Sequence, residues 1–145
     1  MKPQTRACRV ILFFVGISLA CAGVSSAQTA RTARLMREKL LHSQRILTAL
    51  VTSDYTLLQR ETQALTNITN SPEWKELMTA DLRPYTSGFT KALGDLAAAS
   101  NRRDYDSAGA SYGALTAACL ECHKHVMKSR IAEDVSQSRR TTQSR

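Results

Sequence analysis

The 145 residues have room for one domain, and at 43% hydrophobic they can bury a core of small size. Lysine and arginine number 20 against 12 acidic residues, a net charge of +8. The bases are scattered among acids without interleaved aromatics, which argues against a nucleic-acid footprint.

Residues 1–27 read as an export signal. Lys2, Arg6 and Arg9 make a positive start, an apolar run follows from Val10 to Ala22, and Ser25, Ser26 and Ala27 are small residues before a cut at Gln28. The run is shorter than the roughly 20 residues of a spanning helix, so no stable membrane span is expected. Lipid attachment at Cys21 is disfavoured, because Ser18 stands where such a signal wants leucine. Cleavage removes three bases and no acid, leaving 17 bases against 12 acids, a net +5. It also removes Cys8 and Cys21, so Cys119 and Cys122 alone remain and a multi-disulfide scaffold is excluded.

The rest is rich in Ala, Leu, Arg, Lys, Glu and Gln and poor in alternating β-branched runs, which predicts an all-α domain over residues 28–132. A first helix is expected over about Thr32–Thr52. Leu35, Met36, Lys39, Leu40, Ser43, Ile46, Leu47, Leu50 and Val51 occupy one half of its wheel, His42 lies at the edge and Leu41 lies outside. Ser53-Asp54-Tyr55 breaks the pattern and caps a second helix to about Ile68, with Leu57, Leu58, Glu61, Ala64, Leu65 and Ile68 inward. Ser71 and Pro72 then open a short helical segment in which Trp74, Leu77 and Met78 can plug one end of the core. A further helix follows over about Pro84–Asn101, with Tyr85, Phe89, Ala92, Leu93, Leu96 and Ala99 inward. After a break at residues 101–106 comes the most regular stripe: Tyr105, Ala108, Tyr112, Leu115, Cys119, Cys122 and Val126, in steps of three and four. Residues 133–145 carry no apolar face and are expected to form a disordered polar tail. Four amphipathic segments with short breaks fit an antiparallel four-helix bundle, in which cofactors sit between facing helices.

No glycine-rich phosphate loop, helical H-E-x-x-H or catalytic triad is present, so the function must rest on Cys119-Leu120-Glu121-Cys122-His123. Cysteines three apart share a helix face, and C-x-x-C-H is the spacing of covalent c-type haem attachment. A zinc site at the usual spacing needs a second ligand pair, and the exported chain has no further cysteines, leaving only His125 and the remote His42. A redox dithiol of thioredoxin type needs a βαβ setting, but the residues before Cys119 read as helix. Haem is the favoured reading.

An export signal, four helices and C-x-x-C-H near the end of the last helix resemble the cytochrome c prime family, the class II c-type cytochromes, over about Thr32–Ala132. The resemblance implies one covalent haem c attached through Cys119 and Cys122, with His123 as proximal iron ligand; His125, two residues on, is expected to face away. Family members commonly carry an arginine four residues past that histidine; here Met127 stands there and Arg130 lies a turn further on.

The family divides by what its first helix presents to the iron's open side. Met36 is the expected distal ligand, with Lys39 and His42 as further candidates on the same helix. A thioether ligand implies an electron carrier of raised potential; an apolar residue implies a five-coordinate iron that binds NO or CO. The expectation is a periplasmic electron-transfer cytochrome with redox proteins as partners and no enzymatic activity, and binding of NO or CO is the alternative. A peroxidase would need distal acid-base groups, for which His42 is the sole candidate. Members of the family commonly pair through their first two helices, so a homodimer is compatible with the resemblance.

Overall fold

The computed structural model describes the backbone from Gln4 to Gln143 and the side chains from Ala27 onward. The expected export segment therefore lies outside the described side chains. Five helices make up the described chain: α1 (Gln4–Val51), α2 (Tyr55–Asn70), α3 (Pro72–Leu77), α4 (Arg83–Arg102) and α5 (Tyr105–Gln143). No strand occurs among the described residues. No described helix is long and apolar enough to cross a membrane. Packing divides the chain into two units, Met1–Glu38 and Lys39–Arg145, and the core belongs to the second.

Two turns of the same design set the course of that second unit. α1 ends with Ser53 in the left-handed region at φ 54°, where the Ser53 amide donates to Leu50 O and the Asp54 amide to Ala49 O, at 3.1 and 2.9 Å. α4 ends identically, with Arg103 at φ 54° and amide bonds from Arg103 to Ser100 O and from Asp104 to Ala99 O, at 3.2 and 3.0 Å. These paired bonds satisfy carbonyls that a helix end leaves without partners. The aspartate in each turn then caps the next helix: Asp54 Oδ1 accepts from the Leu57 amide at 2.9 Å, and Asp104 Oδ1 from that of Ser107 at 3.1 Å. One side chain thus ends a turn and starts a helix, so each reversal takes only two or three residues. Ser71 repeats the capping at α3, accepting from the Trp74 amide at 3.1 Å ahead of Pro72.

α4 packs most extensively on α5, α2 lies against α4, and α3 against α2. The core gathers Ile46, Ala49 and Leu50 from α1, Leu58 and Leu65 from α2, Phe89, Ala92, Leu93, Leu96 and Ala99 from α4, and Ala108 and Leu115 from α5. Ile46, Leu96 and Leu115 are fully buried. Each such side chain contributes about 1.5–3 kcal/mol through burial. The inward positions expected on α4 are all buried except Tyr85, which is half-buried.

α1 departs from expectation. Leu40, Leu47 and Val51, placed inward by the half-wheel, are 59%, 48% and 73% exposed. The inward seam centres instead on Ile46 and takes in His42, Ser43, Ala49 and Leu50. The three exposed residues lie about 100–140° round the helix from Ile46, beyond what the neighbouring helices cover. Tyr105, at the start of the α5 stripe, is likewise 50% exposed. At its far end α5 continues through Gln143, with every residue from Arg130 onward exposed.

Candidate functional site

Below Leu115 the inward stripe of α5 continues into Cys119 and Cys122, both free and half-buried. Cys119 packs against the core cluster. Burial pushes both thiols above their ordinary pKa, the nearby Lys39 charge opposing it. They are therefore neutral near pH 7, and neither is set up as a nucleophilic thiolate.

Facing them from α1 is Lys39. Its amine lies 4.1 Å from the centre of the Trp74 ring and 3.9 Å from that of Phe89. The two rings are 6.3 Å apart and inclined at 36°. Trp74 comes from α3 and Phe89 from α4, and both are buried. The short helix α3 thus delivers one wall of the site, and its serine cap and proline start fix where that wall stands. Desolvation lowers the Lys39 pKa, while the electrostatics of Cys119 and Cys122 act to raise it. Lys39 forms no salt bridge among the described residues.

The three histidines divide sharply. His42 donates from Nδ1 to Glu61 Oε2 at 2.7 Å, and the Glu61 carboxylate, almost wholly buried, also meets Arg60 at 3.0 Å and Arg45 at 3.8 Å. Burial pushes the Glu61 carboxyl upward, but the hydrogen bonds from His42 and Arg60 and the charges of His42 and Arg45 hold it below the usual glutamate value. His125 donates from Nε2 to Asp81 Oδ2 at 2.7 Å and stacks on Tyr85, with ring centres 4.3 Å apart. The stacking places His125 against α4. His123 is exposed and has no hydrogen-bond or ring partner among the described residues. Of the three imidazoles, only the one in the C-x-x-C-H motif has both ring nitrogens without a partner among the described residues.

Met36, the expected distal ligand, lies half-buried on α1 within the N-terminal unit, while Lys39 belongs to the same unit as the two thiols. Among the described residues, no three side chains of His, Cys, Asp or Glu gather to hold a metal ion. The donors that would complete a tetrahedral zinc site beside Cys119 and Cys122 are thus missing there. Two relationships escaped the sequence: the partner of His125, because Asp81 lies 44 positions away with no periodic link, and the ring cage around Lys39. Glu61 on an inward face was the one signal that a buried cation partner had to exist.

Compared with protein-family models, curated proteins and solved structures, the chain matches none.

Proposed function

We propose that this chain is an exported c-type cytochrome that carries electrons in the periplasm. In this reading α1, α2, α4 and α5 form an antiparallel four-helix bundle of cytochrome c prime type around one covalent haem c. The group would supply a redox-active iron; the chain supplies its attachment, its surroundings and a docking surface.

The donor chemistry fits that group. Two half-buried, un-ionised thiols continue the inward stripe of α5, each with a free sulfur available for a thioether. Beside them the buried rings of Trp74 and Phe89, with the Lys39 amine over both, give the site an apolar wall. The observation that carries the reading is the state of the histidines: His42 and His125 each give one ring nitrogen to a carboxylate, whereas His123, next to Cys122, is exposed with both nitrogens free of partners among the described residues. Cys119 and Cys122 would hold the haem through thioether bonds, and His123 would supply an imidazole ligand to its iron. The mature excess of positive charge, once the export segment is removed, favours encounter with acidic redox partners.

The test is export of the full chain in a host that matures c-type cytochromes, followed by haem staining of a denaturing gel. The stain should travel with the polypeptide and disappear when Cys119 and Cys122 are both changed to serine. A wild-type chain recovered folded and unstained, from cells that load another c-type cytochrome, would overturn the proposal.

A further inference from the structure

We propose that a second site lies between α2 and α4 and binds a small uncharged polyhydroxyl compound, a polyol or a monosaccharide. Its lining comes from residues 56–66 of α2 and 97–101 of α4, so it shares nothing with the thiol pair of α5 or the ring pair around Lys39. The cleft measures about 410 Å³, within the range of about 300–1,000 Å³ that small-molecule sites occupy. Ala97 is the only wholly apolar side chain in the lining. Helices that merely packed there would set carbon against carbon. Instead each helix contributes a buried hydroxyl, Thr62 from α2 and Ser100 from α4, at 2% and 0% exposure, and neither Oγ has a hydrogen-bond partner among the described residues. Unpaired buried hydroxyls cost stability, so their retention on both walls of one cleft points to a partner that arrives from outside. One bridging water, at about 30 Å³, would fill only a small part of the space.

The lining selects the chemistry of that partner. Each hydroxyl offers one donor and two acceptor positions, which a group that both donates and accepts matches best, and an alcohol does so. Thr66 adds acceptor lone pairs, its own proton being spent on Thr62 O at 3.0 Å. No aspartate or glutamate lines the cleft to meet a cation. The one charged lining residue, Arg60, holds Glu61 Oε1 from Nε and Nη2, both at 3.0 Å. An anion drawn to that guanidinium would bring a second negative charge against the buried Glu61 carboxylate, so a neutral ligand is favoured. Across the cleft, Gln59 Nε2 donates to Ser100 O at 3.5 Å and to Asn101 Oδ1 at 3.4 Å. Both bonds are longer than the usual range of about 2.7–3.2 Å, so releasing them costs little. A ligand that displaces this amide gains the Thr62 and Ser100 hydroxyls as partners.

The test is a titration of the full exported chain, labelled with nitrogen-15, with glycerol, myo-inositol and glucose in turn, followed by amide chemical shifts. At least one probe should move the amides of residues 56–66 and 97–101 along a saturating curve. Thr62→Val combined with Ser100→Ala removes both hydroxyls and keeps the side-chain outlines. This variant should bind the same probe about tenfold more weakly or worse, while resisting urea at least as well as the wild type. Should it fail to accumulate, Ser100→Ala alone serves, with a loss of several fold. No saturating shift from any of the three probes overturns the proposal and leaves water as the occupant. Saturation that the double variant leaves unchanged overturns it as well, placing the polyol elsewhere. Inorganic phosphate moving the same amides more strongly than the polyols would overturn the choice of an uncharged ligand.

Discussion

The His42 imidazole and the Glu61 carboxylate meet across 2.7 Å between α1 and α2, and Glu61 is only 1% exposed. A buried carboxylate is tolerated because His42, Arg60 and Arg45 surround it. The contact therefore pins the inward face of α1 to α2 by charge as well as by packing.

From this contact comes a pH dependence. The folded-state pKa of Glu61 is held below its ordinary value of 4.5, so the unfolded chain takes up its proton first as the solution is acidified. The stability contributed by the carboxylate is fully present above about pH 4.5 and is lost as pH falls through the folded value. Urea unfolding as a function of pH should show this decline, and Glu61→Gln should flatten it while lowering stability at neutral pH by about 1–3 kcal/mol. An unaltered pH profile in the variant would place the acid sensitivity elsewhere.

Core substitutions should separate the two sides of α1. Ile46→Ala removes a fully buried side chain from the inward seam of α1 and should cost about 2–5 kcal/mol. Leu47→Ala, at a position 48% exposed, should change stability by less than about 1 kcal/mol. Equal losses in denaturant melts would contradict the placement of the α1 seam on Ile46.

The paired helix ends predict a gain. Ser53 and Arg103 both hold φ 54°, a conformation that carries a cost of about 1–2 kcal/mol for residues with a Cβ and none for glycine. Arg103→Gly should therefore raise stability by about 0.5–1 kcal/mol, after the added freedom of the unfolded chain is set against the relief. Thermal melts of Ser53→Gly and Arg103→Gly should both shift upward, because the two turns share their hydrogen bonds.

Two hydroxyls supply the opposite kind of test. Thr62 Oγ1 and Ser100 Oγ are buried without a hydrogen-bond partner among the described residues. An unsatisfied buried hydroxyl costs more than the same volume filled by carbon. Ser100→Ala should thus stabilise the protein by about 1 kcal/mol, measured as a rise in the urea midpoint. A loss instead would mean that the hydroxyl is hydrated or bonded in solution.

Much of this arrangement is local and therefore legible from the chain. Helix caps need only a side-chain oxygen three residues before the amide it receives, so Asp54 and Ser71 announce α2 and α3. The stripe of α4 could be read because almost every residue of its inward face is apolar. On α1 the apolar residues cover half the wheel, and pattern alone cannot say which part of so broad a face a neighbouring helix will cover. Leu40, Leu47 and Val51 fall in the expected half for that reason yet are exposed, while Ala49, buried, is too small to mark a hydrophobic pattern.

The candidate site divides along the same line. Cys119, Cys122 and His123 are neighbours in the chain, and one turn of helix places both cysteines on a shared face, so their placement together is legible from the sequence. What they face is not. That Lys39 stands between Trp74 and Phe89, that Glu61 holds His42 and that Asp81 holds His125 depends on helices far apart in sequence coming together. Hydrogen-bonding geometry within a helix is set by residues three and four apart, and the sequence by itself determined those features. Which imidazole stays free and which amine is left without an anion are settled by packing between helices, and only the tertiary structure decided them.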